Sequence, residues 1–204
     1  MKWLKKLLNI HPDENQKWIL WSNAVSTLLY TYSQPVLIKT IYSDLPSEFI
    51  AAQSLIISIF GLIIGMLWQG KVREKAINFF LAIAILESTC GLCFAIYLYW
   101  FGFNSWVFGI GSLIYTSFIA IFVGKCVMYF KSRLWIESKR EQYDNNQAIV
   151  IEICCIIGYV IALLAMPPLS VSVLIWGVCC VLDDIGWISV YIKNKKFLKE
   201  KVEK

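Results

Sequence analysis

Three carboxylates stand inside apolar stretches of the chain: Glu87 in LAIAILESTCGLC, and the pair Asp183-Asp184 in GVCCVLDDIGW. A charge at bilayer depth is costly and normally faces a bundle interior, a water-filled path or a partner group. Protonation is the inexpensive way to keep a lone carboxylate in such a place, because burial disfavours the charged form. Glu87, Asp183 and Asp184 are therefore candidates for coupling a proton or an ion; the alternative is pairing with a donor on a neighbouring helix, which only fixes packing. Adjacent helical residues diverge by about 100°, so the two aspartates do not read as one carboxylate dyad. Glu152, about one turn inside a later apolar segment and near Arg133, Lys139 and Arg140, reads as a gate or an interfacial salt bridge.

Neutral polar residues form a second pattern. Asn23, Thr27, Tyr30 and Gln34 recur at helical spacing and share one face, and Ser112, Tyr115 and Thr116 form a lesser stripe further on. Such stripes either line a solute path or bond across helices as packing glue. Pro35 ends the first stripe, where a proline can kink a helix. Gly61 and Gly65 form a small-xxx-small pair that lets two helices approach, within the bundle or between copies. The seven cysteines all lie in apolar segments, which reads as small buried hydrophobes and not as a disulfide scaffold. Cys90 and Cys93 have redox or metal spacing, yet only Glu87 stands near them. His11, the sole histidine, lies in a polar turn, so neither a metal nor another cofactor is expected.

The elements that must position these residues follow from composition. The chain has 204 residues, 58% of them hydrophobic, with a mean hydropathy of +0.63, which is too apolar for an ordinary soluble domain. Apolar runs of about 20 residues, each long enough to cross about 30 Å of hydrocarbon, indicate transmembrane helices; period-2 alternation of barrel strands is missing. The expected class is all-α and polytopic. Residues 1–17 read as an amphipathic lead lying on the inner leaflet, 18–192 as a six-helix membrane domain, and 193–204 as a basic cytoplasmic tail. The spans are expected near Trp18–Tyr42, Phe49–Gln69, Ala76–Trp100, Ser105–Phe130, Gln147–Met166 and Val171–Ile192.

The net charge of +5 is a matter of topology and not a nucleic-acid signal. Lysines and arginines precede the first span and follow the second, fourth and sixth, whereas the other three loops have none. By the positive-inside rule both termini are cytoplasmic, in a protein of the plasma membrane. Spans one to three and four to six repeat a layout: a hydroxyl-rich helix with a late lysine (Lys39, Lys125), a helix with internal glycine, and a helix with an acid near its middle. Triplets of three spans have opposite topology, the arrangement of inverted repeats.

The run Gly65-Met-Leu-Trp-Gln-Gly-Lys-Val-Arg-Glu-Lys75 resembles the loop between helices two and three of the major facilitator superfamily, Gly-x-Leu-x-Asp-Arg-x-Gly-Arg-Arg. Gly65, Leu67 and Arg73 fit, while Gln69 stands for the family's Asp and Val72 for its second Gly. Tyr143-Asp-Asn-Asn-Gln-Ala, leading to Gly158, is similar to the family's approach to helix five. The chain looks like one six-helix half of such a transporter. The resemblance implies a cytoplasmic gate at Gly65, Gln69 and Arg73, beside the gate candidate Glu152, with helices one and four at a cavity, two and five toward the other half, and three and six outside. It also implies a second copy, or a complementary membrane subunit, and a small organic solute.

Other classes were weighed. A non-transporting accessory or immunity-type protein that binds a partner would keep the scaffold without the gate. A substrate-binding subunit of an energy-coupling-factor transporter would carry Ala-x-x-x-Ala in span one, which is missing. A three-helix sugar-transporter-like repeat would put the loop holding Asp44 and Glu48 inside. No His-Glu-x-x-His, Gly-x-Ser-x-Gly or Asp-rich phosphotransferase run is present, which argues against an enzyme.

Overall fold

The computed structural model describes residues 14–68 and 70–200, and all regular secondary structure among them is helical. Six rods follow one another: α1 Glu14–Asp44, α2 Ser47–Leu67, α3 Gly70–Phe101, α4 Ser105–Leu134, α5 Glu137–Leu164 and α6 Leu169–Glu200. Within α4 the α-helical pieces Ser105–Ile114 and Ile121–Leu134 flank a π-helical stretch, Tyr115–Ala120.

Local chemistry accounts for the returns. Gly102 adopts a φ of +93°, a region open to glycine. Two residues on, the Asn104 side chain accepts from the Trp106 and Val107 amides at 3.0 and 3.1 Å and starts α4. Pro46 precedes α2, and Pro167-Pro168 separates α5 from α6.

Among the described residues five helices are long and apolar enough to cross a bilayer: α2, most of α3, α4, α5 and most of α6. The expected first span is a helix but is not among them. Its length carries Ser, Thr, Asn and Gln, and it lies between α5 and α6 instead of standing on its own apolarity. Pro35 sits inside α1 without interrupting it.

Three other expectations are corrected. The basic turn at 70–75 is the start of α3, whose helix runs on unbroken. The supposed loop from Lys131 to Asn146 shrinks to Trp135 and Ile136, because α4 continues to Leu134 and α5 starts at Glu137. Residues 193–200 of the supposed tail are helical and belong to α6. Each miss has one cause: lysine and arginine are good helix formers, so charge marks the edge of the hydrocarbon without ending the helix. The amphipathic lead falls largely in residues 1–13, and Gln69 and 201–204 likewise lie outside the described residues.

The packing is unequal. α6 lies along both α1 and α3, and α1 also lies along α5; α4 touches α3 and α6, and α2 leans chiefly on α4. Association in hydrocarbon depends on close packing, since lipid tails are as apolar as side chains. Glycine supplies that closeness. A Cβ on Gly186 would meet Ser22 Oγ at 2.5 Å and Ile19 Cα at 3.0 Å, so α6 presses backbone to backbone against α1. Gly158 does the same for α5 against Leu28 and Thr31 of α1.

Two cores result. At the basic end Ile19, Phe80, Phe130, Trp135, Tyr143, Trp187 and Tyr191 are buried together, with Phe80 edge-on to Phe130 at 4.7 Å. At the other end Leu37, Ala95, Leu98, Phe108 and Val173 form a smaller cluster.

Candidate functional site

Between the two cores, α3 and α6 approach closely enough to bring polar groups together. A Cβ on Gly91 of α3 would meet Cys180 Cβ at 2.8 Å, so only glycine admits this spacing. About one turn away Ser88 Oγ lies 2.8 Å from Asp184 Oδ2 and 3.0 Å from the Ala84 carbonyl. Asp184 is 4% exposed and Glu87 5%. Neither forms an ion pair among the described residues. Glu87 Oε2 is buried without a hydrogen-bond partner there, and Tyr115 lies beside Glu87 and Cys180.

Tyr115 is the first residue of the π-helical stretch of α4. A π-bulge inserts a residue and turns the following side chains relative to an ideal helix; such bulges are frequent at functional sites. Tyr115 also borders a cavity of about 240 Å³ lined by Cys90, Gly91, Phe94, Gly111 and Trp176. The Trp176 ring stands edge-on to Tyr115 at 5.7 Å.

Asp183 takes the other direction, as the helical angle requires. It is exposed, beside Ser26 and near Tyr30. Along the same helix Tyr159 Oη of α5 donates to Gln34 Oε1 at 3.2 Å. Asn23 and Thr27 are half-buried, and the Thr27 carbonyl accepts from Thr31 at 2.6 Å. The stripe on α1 therefore lies partly between helices and partly open.

The stripe on α4 is split. Ser112 accepts from Gln53 Nε2 of α2 at 3.2 Å and donates to the Gly109 carbonyl, so it ties α2 to α4. Tyr115 turns toward Glu87, and Thr116 is half-buried. The structure thus joins Glu87, Asp184 and Tyr115, with Asp183 and Tyr30 as a separate, outward group.

The expected gate residues are dispersed. Gly65 faces the Lys125 ammonium, whose nitrogen would lie 3.7 Å from a Cβ there, and Gly61 faces Ile121, so this glycine pair serves the α2–α4 contact. Arg73 stacks over the Tyr129 ring. Glu152 is exposed and forms no ion pair among the described residues. Among the described residues the ion pairs at this end are Lys131–Asp144 at 2.9 Å and Arg140–Glu137 at 3.8 Å.

No family model, curated protein or solved structure matches this chain. Its chemistry has to be read from its own side chains. Among the described residues no group of three or more His, Cys, Asp or Glu could hold a metal ion, and all seven cysteines are free. Sequence reasoning missed Ser88 and Tyr129. The neighbouring Glu87 was a pointer to Ser88; no pattern announced that Tyr129 would take two arginines.

Proposed function

We propose that this chain is a half-size membrane carrier of the major facilitator type, working as a homodimer or with a complementary membrane subunit. It moves a small organic solute with proton or ion coupling at Glu87 and Asp184. The observation that carries the reading is a pair of buried carboxyl groups at an α3–α6 contact, with a serine on one of them and no ion pair to either among the described residues. Ser88 has one hydrogen and two acceptors within reach, Asp184 Oδ2 and the Ala84 carbonyl. A protonated Asp184 satisfies all three groups, donating to Ser88 while Ser88 donates to Ala84. An ionised Asp184 can only accept, so it draws the Ser88 hydrogen away from the Ala84 carbonyl. Loading and unloading that proton changes what holds α3 to α6, which is how a proton can bias helix packing.

The order of helix contacts supports a two-triplet design. Exchanging α1 with α4, α2 with α5 and α3 with α6 turns the contacts α1–α5 and α1–α6 into α4–α2 and α4–α3 and leaves α3–α6 unchanged, while α4–α6 has no comparable counterpart between α1 and α3. α2 and α5 are the two membrane-length helices least covered by the rest of the chain, as faces toward another half should be. The basic loops favour both termini in the cytoplasm and a plasma-membrane location.

One observation favours the second reading, a non-transporting accessory protein that binds a membrane partner. Ser112 is engaged with Gln53, so the α1 and α4 stripes do not form one open surface.

The deciding experiment reconstitutes the full chain in liposomes with a trapped pH dye and offers a panel of amino acids, sugars and nucleosides. Solute-dependent proton movement, lost in Asp184→Asn and kept in Asp183→Asn, is expected. No movement with any solute, or full activity in Asp184→Asn, overturns the assignment.

A further inference from the structure

At the basic end of the bundle two arginines share one tyrosine. Arg73, in the first turns of α3, places its guanidinium carbon 5.0 Å from the centre of the Tyr129 ring, and Arg133, in the last turn of α4, lies 5.2 Å from the same centre. A ring face attracts a cation, but two guanidinium groups at one ring repel each other. Neither has a carboxylate within ion-pair distance among the described residues, where the ion pairs are Lys131–Asp144 and Arg140–Glu137.

Further donors there are unsatisfied. Among the described residues Arg73 Nε is buried without a hydrogen-bond partner, and so is the hydroxyl of Tyr129, a residue only 8% exposed. The group is therefore short of an anion with several acceptor oxygens. Guanidinium forks suit phosphate in particular.

The surroundings decide which phosphate. Both arginines stand where the apolar parts of α3 and α4 end, the level of lipid headgroups. Below them the surface is apolar and open: Met128 is 66% exposed, and Met66 and Leu67 at the end of α2 are exposed too. A free phosphate has no use for that surface, whereas acyl chains do.

We propose that Arg73 and Arg133, gathered on Tyr129, bind the phosphate headgroup of an anionic phospholipid whose chains lie along α4 and the end of α2. The site is independent of transport and needs only that the chain sits in a bilayer.

Native mass spectrometry of the full-length protein, offered phosphatidylglycerol and phosphatidylcholine with identical chains, tests it. A preference of about tenfold or more for phosphatidylglycerol is expected from two arginines at headgroup level. Arg73→Gln/Arg133→Gln should bring the two lipids to parity, while Arg140→Gln, next to Glu137, should keep the preference. If the double variant does not fold, Arg133→Gln alone, on a half-exposed side chain, must lower it. An unchanged preference in the arginine variants overturns the proposal. So does displacement of the bound lipid by millimolar inorganic phosphate, which would make the site one for a soluble anion.

Discussion

α1 and α2 are neighbours in sequence and opposites in environment. α1 is the most polar of the six helices and is covered on two sides, with Ile19, Ser22, Ser26, Thr31, Ser33 and Leu37 buried against α5 and α6. α2 is among the most apolar and buries no residue at all. Water would sort them the other way. In hydrocarbon a hydroxyl needs a partner, and α1 supplies most of its own: Ser22 donates to the Ile19 carbonyl at 3.1 Å, Ser33 to Tyr30 at 3.0 Å and Thr40 to Val36 at 2.9 Å. α2 uses the same device for its two exposed serines, Ser54 and Ser58. Polarity is kept inside by packing, and apolarity is what the outside is made of.

The largest effect that could break this contrast is a charge on α2. Leu55 is 61% exposed near the middle of the helix. Leu55→Lys should cost about 3 kcal/mol of insertion free energy if that face meets lipid. Glycosylation mapping of the inserted chain reads it directly. Normal insertion would mean that this face of α2 is turned away from lipid, toward water or a partner, and the contrast with α1 would fall.

Next in size is a steric test of the covered side. Gly186→Leu forces a side chain into Ser22 and the α1 backbone, where neither can give way, and should destabilise the protein by about 2 kcal/mol or more. Gly61→Leu is its control, because a Cβ there meets only Ile121 Cδ1 at an ordinary 3.8 Å. Thermal melts in detergent should show a clear drop for the first and a much smaller one for the second. Equal drops would place a tight contact on α2 as well.

Much of this was legible before the structure, and the reasons are physical. Long apolar runs fixed helices two to six, and the divergence of Asp183 and Asp184 by about 100° followed from helical geometry alone. The reading failed where composition and secondary structure part company. Lys71 to Lys75 and the stretch from Lys131 to Asn146 look like loops only if charge is taken as a helix breaker. The π-helical stretch at Tyr115 leaves no mark in residue type. Whether Ser112 faces a path or α2 was undecidable in advance, since hydroxyl stripes look alike in both uses; Gln53 on another helix settles its partner. The gathering of Arg73 and Arg133 on Tyr129 joins residues about 60 positions apart, beyond the reach of any local pattern.

A smaller effect bears on the α2–α4 contact. Gln53→Leu removes the amide that donates to the Gly109 carbonyl and Ser112 Oγ. Interhelical hydrogen bonds in membranes average well under 1 kcal/mol each, so a loss of about 1 kcal/mol is expected in a denaturation series. A much larger loss would show that this polar tie, and not apolar packing, keeps α2 on the bundle.

The smallest effect belongs to the exposed ion pair at the short turn between α4 and α5. Lys131 and Asp144 have side chains 20% and 51% exposed, and surface pairs of this kind contribute from nothing to about 1 kcal/mol. In Asp144→Asn the ammonium keeps two other contacts, Gln147 Oε1 at 3.3 Å and the Tyr143 ring at 4.8 Å. The expected change is therefore about 0.5 kcal/mol and should shrink further in salt, since exposed charges are screened. A loss of 2 kcal/mol or more that ignored salt would require the pair to be buried. Only a second protein surface over the α4–α5 turn could do that, and the end of the bundle that looks open would then be covered, as α1 is.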